Sequence, residues 1–282
     1  MKTAIVTCSN SGLDYIEHSD EIKIMRSSIH FGSEEVYQDY IEIKNKAFYE
    51  RLTNNPDVIP STSFMTIGRM IEMFEELKQN GYDEVIVIVI SSKMSNLYDA
   101  VRNIDSQVEI KVHAFDSRTL AYPETYMVLK AFEMSKEGKN AEEILPVLEK
   151  IRDNTCTWFT VDTLLYLIKN GRLSRLSGAL GTLLKLRPVL IIDKEGKVTT
   201  LEKQRTTKKS MERLVELYKN ETKGKNVVTC VIHADNPAGV EFLRDEIKKI
   251  FPDRVVEDVP LTPVVGTHAG PKAIGIGYII ID

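Results

Sequence analysis

The sequence predicts an α/β protein made of two α/β domains, a parallel-sheet domain over residues 1–155 and a mixed-sheet domain over 156–282. Three observations carry that reading. Strand and helix signals alternate through the first half, the pattern of a parallel sheet covered on both faces. Residues 85–90 (VIVIVI) are uniformly β-branched with no polar alternation, as in a strand buried on both sides. Past residue 155 the pattern changes to an aromatic, Thr-rich strand and then a hairpin signature, which brings in antiparallel pairing.

In chain order, 3–7 reads as a short apolar strand and 22–29 as a second. Residues 63–79 carry apolar side chains at helical spacing (Phe64, Ile67, Ile71, Phe74, Leu77) and stop at Gly81. The strand 85–90 follows, then a helix at 95–104, a strand at 108–115 and a helix at 120–136. Strand-to-helix loops of such units open at one sheet edge, because the crossovers are right-handed. A helix at 141–152 ends the first domain. The second runs through a strand at 155–161, a helix at 163–169, a Gly- and Arg-rich loop at 171–177 with a short helical stretch, and a hairpin at 188–192 and 198–201. Two further strand–helix units follow, and 273–281 closes the chain as a strand.

The 282 residues are 43% apolar, enough for a sizeable core. The longest apolar run is far short of a membrane span, and the first residues lack the apolar length of a signal peptide. Three widely spaced cysteines, Cys8, Cys156 and Cys230, favour a reducing, cytoplasmic setting over a disulfide framework. The net charge of −4 is uneven: residues 169–213 hold 12 basic and 4 acidic side chains, a face suited to an anionic partner or to plain solvation. There is no phosphate-binding loop, dinucleotide fingerprint, HExxH or GxSxG, so no metal, cofactor or catalytic residue is expected. With one tryptophan and no aromatic interleaving in the basic stretch, nucleic acid is not an expected partner.

Hydroxyl groups gather instead at three places: Ser61, Thr62 and Ser63; Ser91, Ser92 and Ser95; and Ser117 and Thr119. Each reads as a strand-to-helix turn, where unpaired backbone N–H groups and the helix dipole favour an anion. Ser and Thr are also the commonest helix caps, which explains any one loop alone. Three at one sheet edge point to a site. His268 stands between Gly266 and Gly270 in a loop-like segment, able to donate to a carboxylate or phosphate when charged. Arg172 follows a helix and could grip a planar anion, or be plain surface charge.

Read together, PSTSFMTIG (60–68), ISSKMSNLYDAV (90–101), FDSRT (115–119), VDTLLYLIKNGRLS (161–174), RPVLIIDKEGKV (187–198) and GTHAGPKAIGIGY (266–278) resemble, in order and spacing, the DegV family. These are bacterial fatty-acid-binding proteins that include the FakB-like subunits of fatty acid kinase, and the resemblance covers essentially the whole chain. It implies a long-chain fatty acid as ligand in a cleft between the domains, with no cofactor. It implies a carboxylate held by Thr62, Ser63, Ser92, Ser95 and His268, and a separate kinase that forms the acyl phosphate for phospholipid synthesis. Arg172 and Arg205 match positions associated with docking of that kinase. The chain departs from the family pattern at Cys8, where an Asp is usual, and at Phe64, Met65 and Asn96. The alternative reading is a hydrolase or phosphotransferase using a loop serine with His268.

Overall fold

The computed structural model describes residues 1–173 and 186–281. The first part contains β1 (Thr3–Cys8), β2 (Lys23–Met25), β3 (Ser28–Phe31), β4 (Glu35–Gln38), α1 (Asn45–Asn54), β5 (Ser61–Ser63), α2 (Ile67–Gln79), β6 (Glu84–Val89), α3 (Leu97–Ile104), β7 (Lys111–Asp116), α4 (Tyr122–Lys136) and α5 (Ala141–Asp153). The second contains β8 (Thr155–Thr160), α6 (Leu165–Lys169), β9 (Val189–Ile192), β10 (Val198–Glu202), α7 (Thr207–Thr222), β11 (Val227–His233), α8 (Pro237–Ile250), β12 (Val256–Pro260), α9 (Pro263–Ala269) and β13 (Ile274–Ile280).

The first sheet is parallel, in the order β2-β1-β6-β7. Strand alternation divides its residues between two cores. Val85, Val87 and Val89 face α2 and α3 through Met70, Phe74, Leu97 and Val101. Ile86 and Ile88 face α4 and α5 through Met127, Val128, Ile144 and Leu148. That two-sided burial is why the run lacks polar positions. The strand order reverses between β1 and β6, and a crevice at the carboxyl ends of such strands is where open α/β sheets bind ligands.

The second sheet is mixed, in the order β10-β9-β8-β13-β11-β12. One face packs on α7 and α8 through Trp158, Ile276, Leu214, Tyr218 and Leu243. Its other face, with Leu190, Ile192 and Ile232, joins a core that also takes Ile29, Phe48 and Tyr49 from the first part of the chain. In β13, Gly275 lets the backbone come close, because a Cβ there would stand 2.6 Å from the Trp158 carbonyl.

A three-stranded antiparallel sheet, β4-β3-β5, was not anticipated. The expected strand at 22–29 divides into β2 and β3, which belong to different sheets. The segment expected to be a strand-to-helix turn at 60–63 is instead β5, and α2 starts four residues later than expected, at Ile67. His268 lies not in a loop but in α9, whose backbone N–H at Val264 donates to Asp39 Oδ1 at 3.3 Å. The short helical stretch expected after 171, and much of the loop before it, lie outside the described residues.

Candidate functional site

Between the two larger sheets, under the small one, is a cavity of about 520 Å³. Its walls are mostly apolar, with Ile90, Leu120, Phe159, Ile192, Val198 and Ile232 among them. Asn10 and Ile90 reach it from the carboxyl ends of β1 and β6, the reversal point of the parallel sheet.

Polar groups converge at one end, and each is placed by its own element. In β5 the pleat sends successive side chains to opposite faces. Thr62 pairs across β3 with the fully buried Ile29 and reaches His268, with Thr62 Oγ1 and His268 Nε2 2.9 Å apart. Ser63 turns toward His30, whose Nε2 is 2.8 Å from Ser63 Oγ, and also lines the cavity. Ser95 enters from the loop after β6; its Oγ accepts the Leu97 amide at 3.2 Å, which leaves its own O–H free to donate. The seven-residue α9 carries His268, and α1 fixes the segment before it: Asn45 Nδ2 and Tyr49 Oη both donate to the Leu261 carbonyl, at 2.9 and 3.0 Å.

His268 Nδ1 is buried and has no hydrogen-bond partner among the described residues. Burial, with Arg172 nearby, pushes its imidazole down to about 3, so the ring is neutral at physiological pH. Donation from both ring nitrogens, which needs the charged imidazole, is therefore not what this pocket favours. Arg172 itself lines the cavity, half-buried, with Nε donating to the Met94 carbonyl at 3.1 Å; burial lowers its pKa. Arg205 is exposed and makes no ion pair among the described residues.

Of the residues proposed from the sequence, Thr62, Ser63, Ser95, His268 and Arg172 line the one cavity. Ser92 does not; its backbone amide donates to Asp116 Oδ1 at 3.1 Å. Ser91 beside it is fully buried. Sequence reasoning missed Asn10 and Thr66 in the lining and named Asn96, which also lines it, only as a departure from the family pattern. It also missed Glu124, fully buried behind Asn10, whose Oε2 accepts from Asn10 Nδ2 at 2.7 Å and whose carboxyl burial pushes well above the usual range. Cys8 hydrogen-bonds Asn10, which places the departure at Cys8 in this same cluster. Among the described residues no cluster of acidic, His or Cys side chains could hold a metal, and no helix is long and apolar enough to cross a membrane.

The chain matches, over residues 2–280, the family model described as uncharacterised protein, DegV family. It is 35% identical to a DegV domain-containing protein of Halalkalibacterium halodurans, covering 99% of both chains. A DegV domain-containing protein of Staphylococcus aureus is 34% identical over 99% of this chain and 98% of its own. Among solved structures, DegV of Bacillus subtilis, described as a fatty acid binding protein, superposes with a TM-score of 0.89 at 32% identity, all of both chains being covered. A fatty acid binding DegV family protein of Streptococcus agalactiae gives 0.91 at 25% identity, again over both whole chains. These neighbours are two-domain folds of the same α/β class, and this chain belongs to the DegV family.

Proposed function

We propose that this protein binds a long-chain fatty acid in the cavity between its sheets, without chemistry of its own, and presents the carboxylate to a separate fatty acid kinase in the cytoplasm. The observation that carries the reading is the cavity itself: mostly apolar, with a polar end where the buried His268 Nδ1 lacks a partner among the described residues. Family members of known structure described as fatty-acid-binding proteins support it. In the arrangement we infer, the Thr62 hydroxyl donates to His268 Nε2 and fixes the neutral tautomer with its proton on Nδ1. That N–H then donates to the carboxylate, with the hydroxyls of Ser63 and Ser95 completing the set and Arg172 supplying positive charge.

The division of labour follows from magnitudes. A buried methylene contributes about 0.8 kcal/mol, so a long acyl tail gains on the order of 10 kcal/mol before the costs of immobilisation. A carboxylate without partners costs several kcal/mol to desolvate. The tail therefore sets affinity, and the polar end sets orientation. We take the two larger sheets as the cores of two domains meeting near residue 155, where the chain leaves α5 and enters β8. We infer that Arg205, which is exposed, is the residue that meets the kinase. The competing hydrolase or phosphotransferase reading gains no support from the geometry, since His268 Nε2 is engaged by Thr62 rather than by a serine.

Mass spectrometry of whatever is released from denatured protein tests the proposal. A stoichiometric long-chain fatty acid is expected; delipidated protein that shows no thermal shift with any of several saturated and unsaturated acids would overturn it.

A further inference from the structure

A second cavity, of about 320 Å³, adjoins the first: Thr157 and Ile192 line both. Its character is the opposite. Arg118, Arg152 and Lys194 line it, contributed by both parts of the chain. Arg118 and Arg152 share the carboxylate of Asp153, at 3.9 and 3.5 Å, and Arg152 also reaches Glu149 at 3.7 Å. Asp193, also in the lining, is tied into its turn, with Oδ1 accepting the amides of Glu195 and Lys197 at 3.0 and 2.9 Å. Lys194 makes no ion pair among the described residues.

Two further observations mark the place. Thr119 and Thr157, 3% and 4% exposed, stand in its wall with side-chain oxygens that find no hydrogen-bond partner among the described residues. A buried hydroxyl without a partner carries a cost that a bound oxygen acceptor removes. The backbone at Arg118 has a φ of +51°, a left-handed conformation that a non-glycine residue adopts at an energetic cost and that is found disproportionately at binding sites.

We propose that this second cavity is a binding site for a phosphate-type oxyanion. Thr119 and Thr157 donate their hydroxyls to it, Arg118 and Lys194 neutralise it, and Arg152, anchored by a hydrogen bond to the Asp116 carbonyl at 3.3 Å, shapes the wall. Arginine and lysine are suited to this task by their several charged N–H donors. The site is separate from the acyl cavity except for the shared wall, and its occupation does not depend on a fatty acid being bound.

The test uses the full chain in thermal-shift and calorimetric titrations with sodium phosphate and with methyl phosphate, against sodium chloride at matched ionic strength. Phosphate is expected to raise the melting temperature saturably where chloride does not. The double variant Arg118→Gln, Lys194→Gln should bind phosphate at least tenfold more weakly, yet bind fatty acid as wild type does in phosphate-free buffer. Thr119→Val, which removes no side-chain oxygen bond among the described residues, should fold normally and also weaken phosphate binding. Binding of phosphate alone supports the proposal with a free anion as ligand; binding of both supports it with the end of an ester. A phosphate response no larger than that of chloride, or one unchanged in all these variants, overturns it.

Discussion

Ser91 Oγ donates to the carbonyl of Gly196 at 2.7 Å, and this bond pins the tip of the β9–β10 hairpin onto the loop after β6. Ser91 is fully buried, and a Cβ on Gly196 would lie 2.1 Å from its hydroxyl. The loop brings Met94 and Ser95 to the larger cavity, and the hairpin brings Ile192 and Val198, so one clasp ties together two parts of its lining. Gly196 also has a φ of +84°. Gly196→Ala should therefore destabilise the fold by about 2 kcal/mol or more, from backbone strain and the close contact together. Ser91→Ala should cost roughly 1–2 kcal/mol by leaving a buried carbonyl unpaired. Chemical denaturation of both variants measures this, and a neutral Gly196→Ala would mean that the hairpin tip is free to shift.

The polar end of the cavity separates two serines that look equivalent in sequence. Ser95→Ala and His268→Ala should each weaken acid binding by about 1–3 kcal/mol, the cost of leaving a desolvated carboxylate short of a donor, and Thr62→Val should weaken it by releasing the tautomer that keeps the proton on His268 Nδ1. Ser92→Ala should leave affinity unchanged. A methyl ester, lacking the charge, should lose less than the acid from the same three changes. Isothermal titration of acid and ester against the four variants is the measurement.

His268 should show its neutral state directly. With its pKa pushed down to about 3 from an ordinary 6.5, it binds no proton in the folded protein while the unfolded chain does. Its contribution to stability is thus intact above about pH 6.5 and is lost as the pH falls toward 3. In delipidated protein the imidazole resonances of His268 should not titrate between pH 5 and 8. Adding a fatty acid should raise its pKa, because a carboxylate beside Nδ1 favours the protonated ring.

Asp39 runs the other way. It is fully buried, and burial pushes its carboxyl up to about 7 from 3.8. The folded state then binds a proton that the unfolded state releases, so stability falls as the pH rises from about 4 to 7. Asp39→Asn can keep the acceptor for the Val264 amide without the ionisable group. It should flatten the pH dependence in that window and leave the variant more stable than wild type at pH 8, read from denaturation midpoints at several pH values.

The two arginines should part company. Arg205→Glu, on the exposed surface, should leave acid binding intact and slow acyl-phosphate formation in a system reconstituted with a fatty acid kinase. Its effect should shrink as salt rises, since exposed charges act within about 8 Å at physiological ionic strength. Arg172→Glu should impair both steps, because Arg172 lines the cavity beside His268. Equal behaviour of the two variants would contradict the placement.

What could be read in advance had a period to read. The strands β1, β6 and β7, the helices packed on them, the hairpin and the closing strand all announce themselves through alternation or helical spacing over several residues. The β4-β3-β5 sheet does not. Its strands are three or four residues long, largely polar, and paired across more than thirty positions between β3 and β5. α9 is hidden by the glycine inside it, the glycine that caps it and its seven-residue length, although Pro263 at its start is a usual opening. Thr62 and His268 were legible as candidates through motif order, but not as partners. Glu124 gave no sign, since an acidic residue in the first turn of a helix ordinarily faces water. The one clue was the change at Cys8, where the side chain packs against the cluster that hides this carboxyl.

Thr62 and His268 join positions 206 apart, one on the smallest sheet and one on a short helix flanked by α1 and α6. No segment of the chain can form it in isolation. Contacts of such long range close late in folding, after the local units are in place. A ligand held there acts as a rivet: it stabilises only the fully assembled molecule, and every partly unfolded form that separates β5 from α9 must first release it. Occupied protein should then melt as a single cooperative unit and resist proteolysis throughout its length, whereas empty protein is free to open at the seam between its sheets.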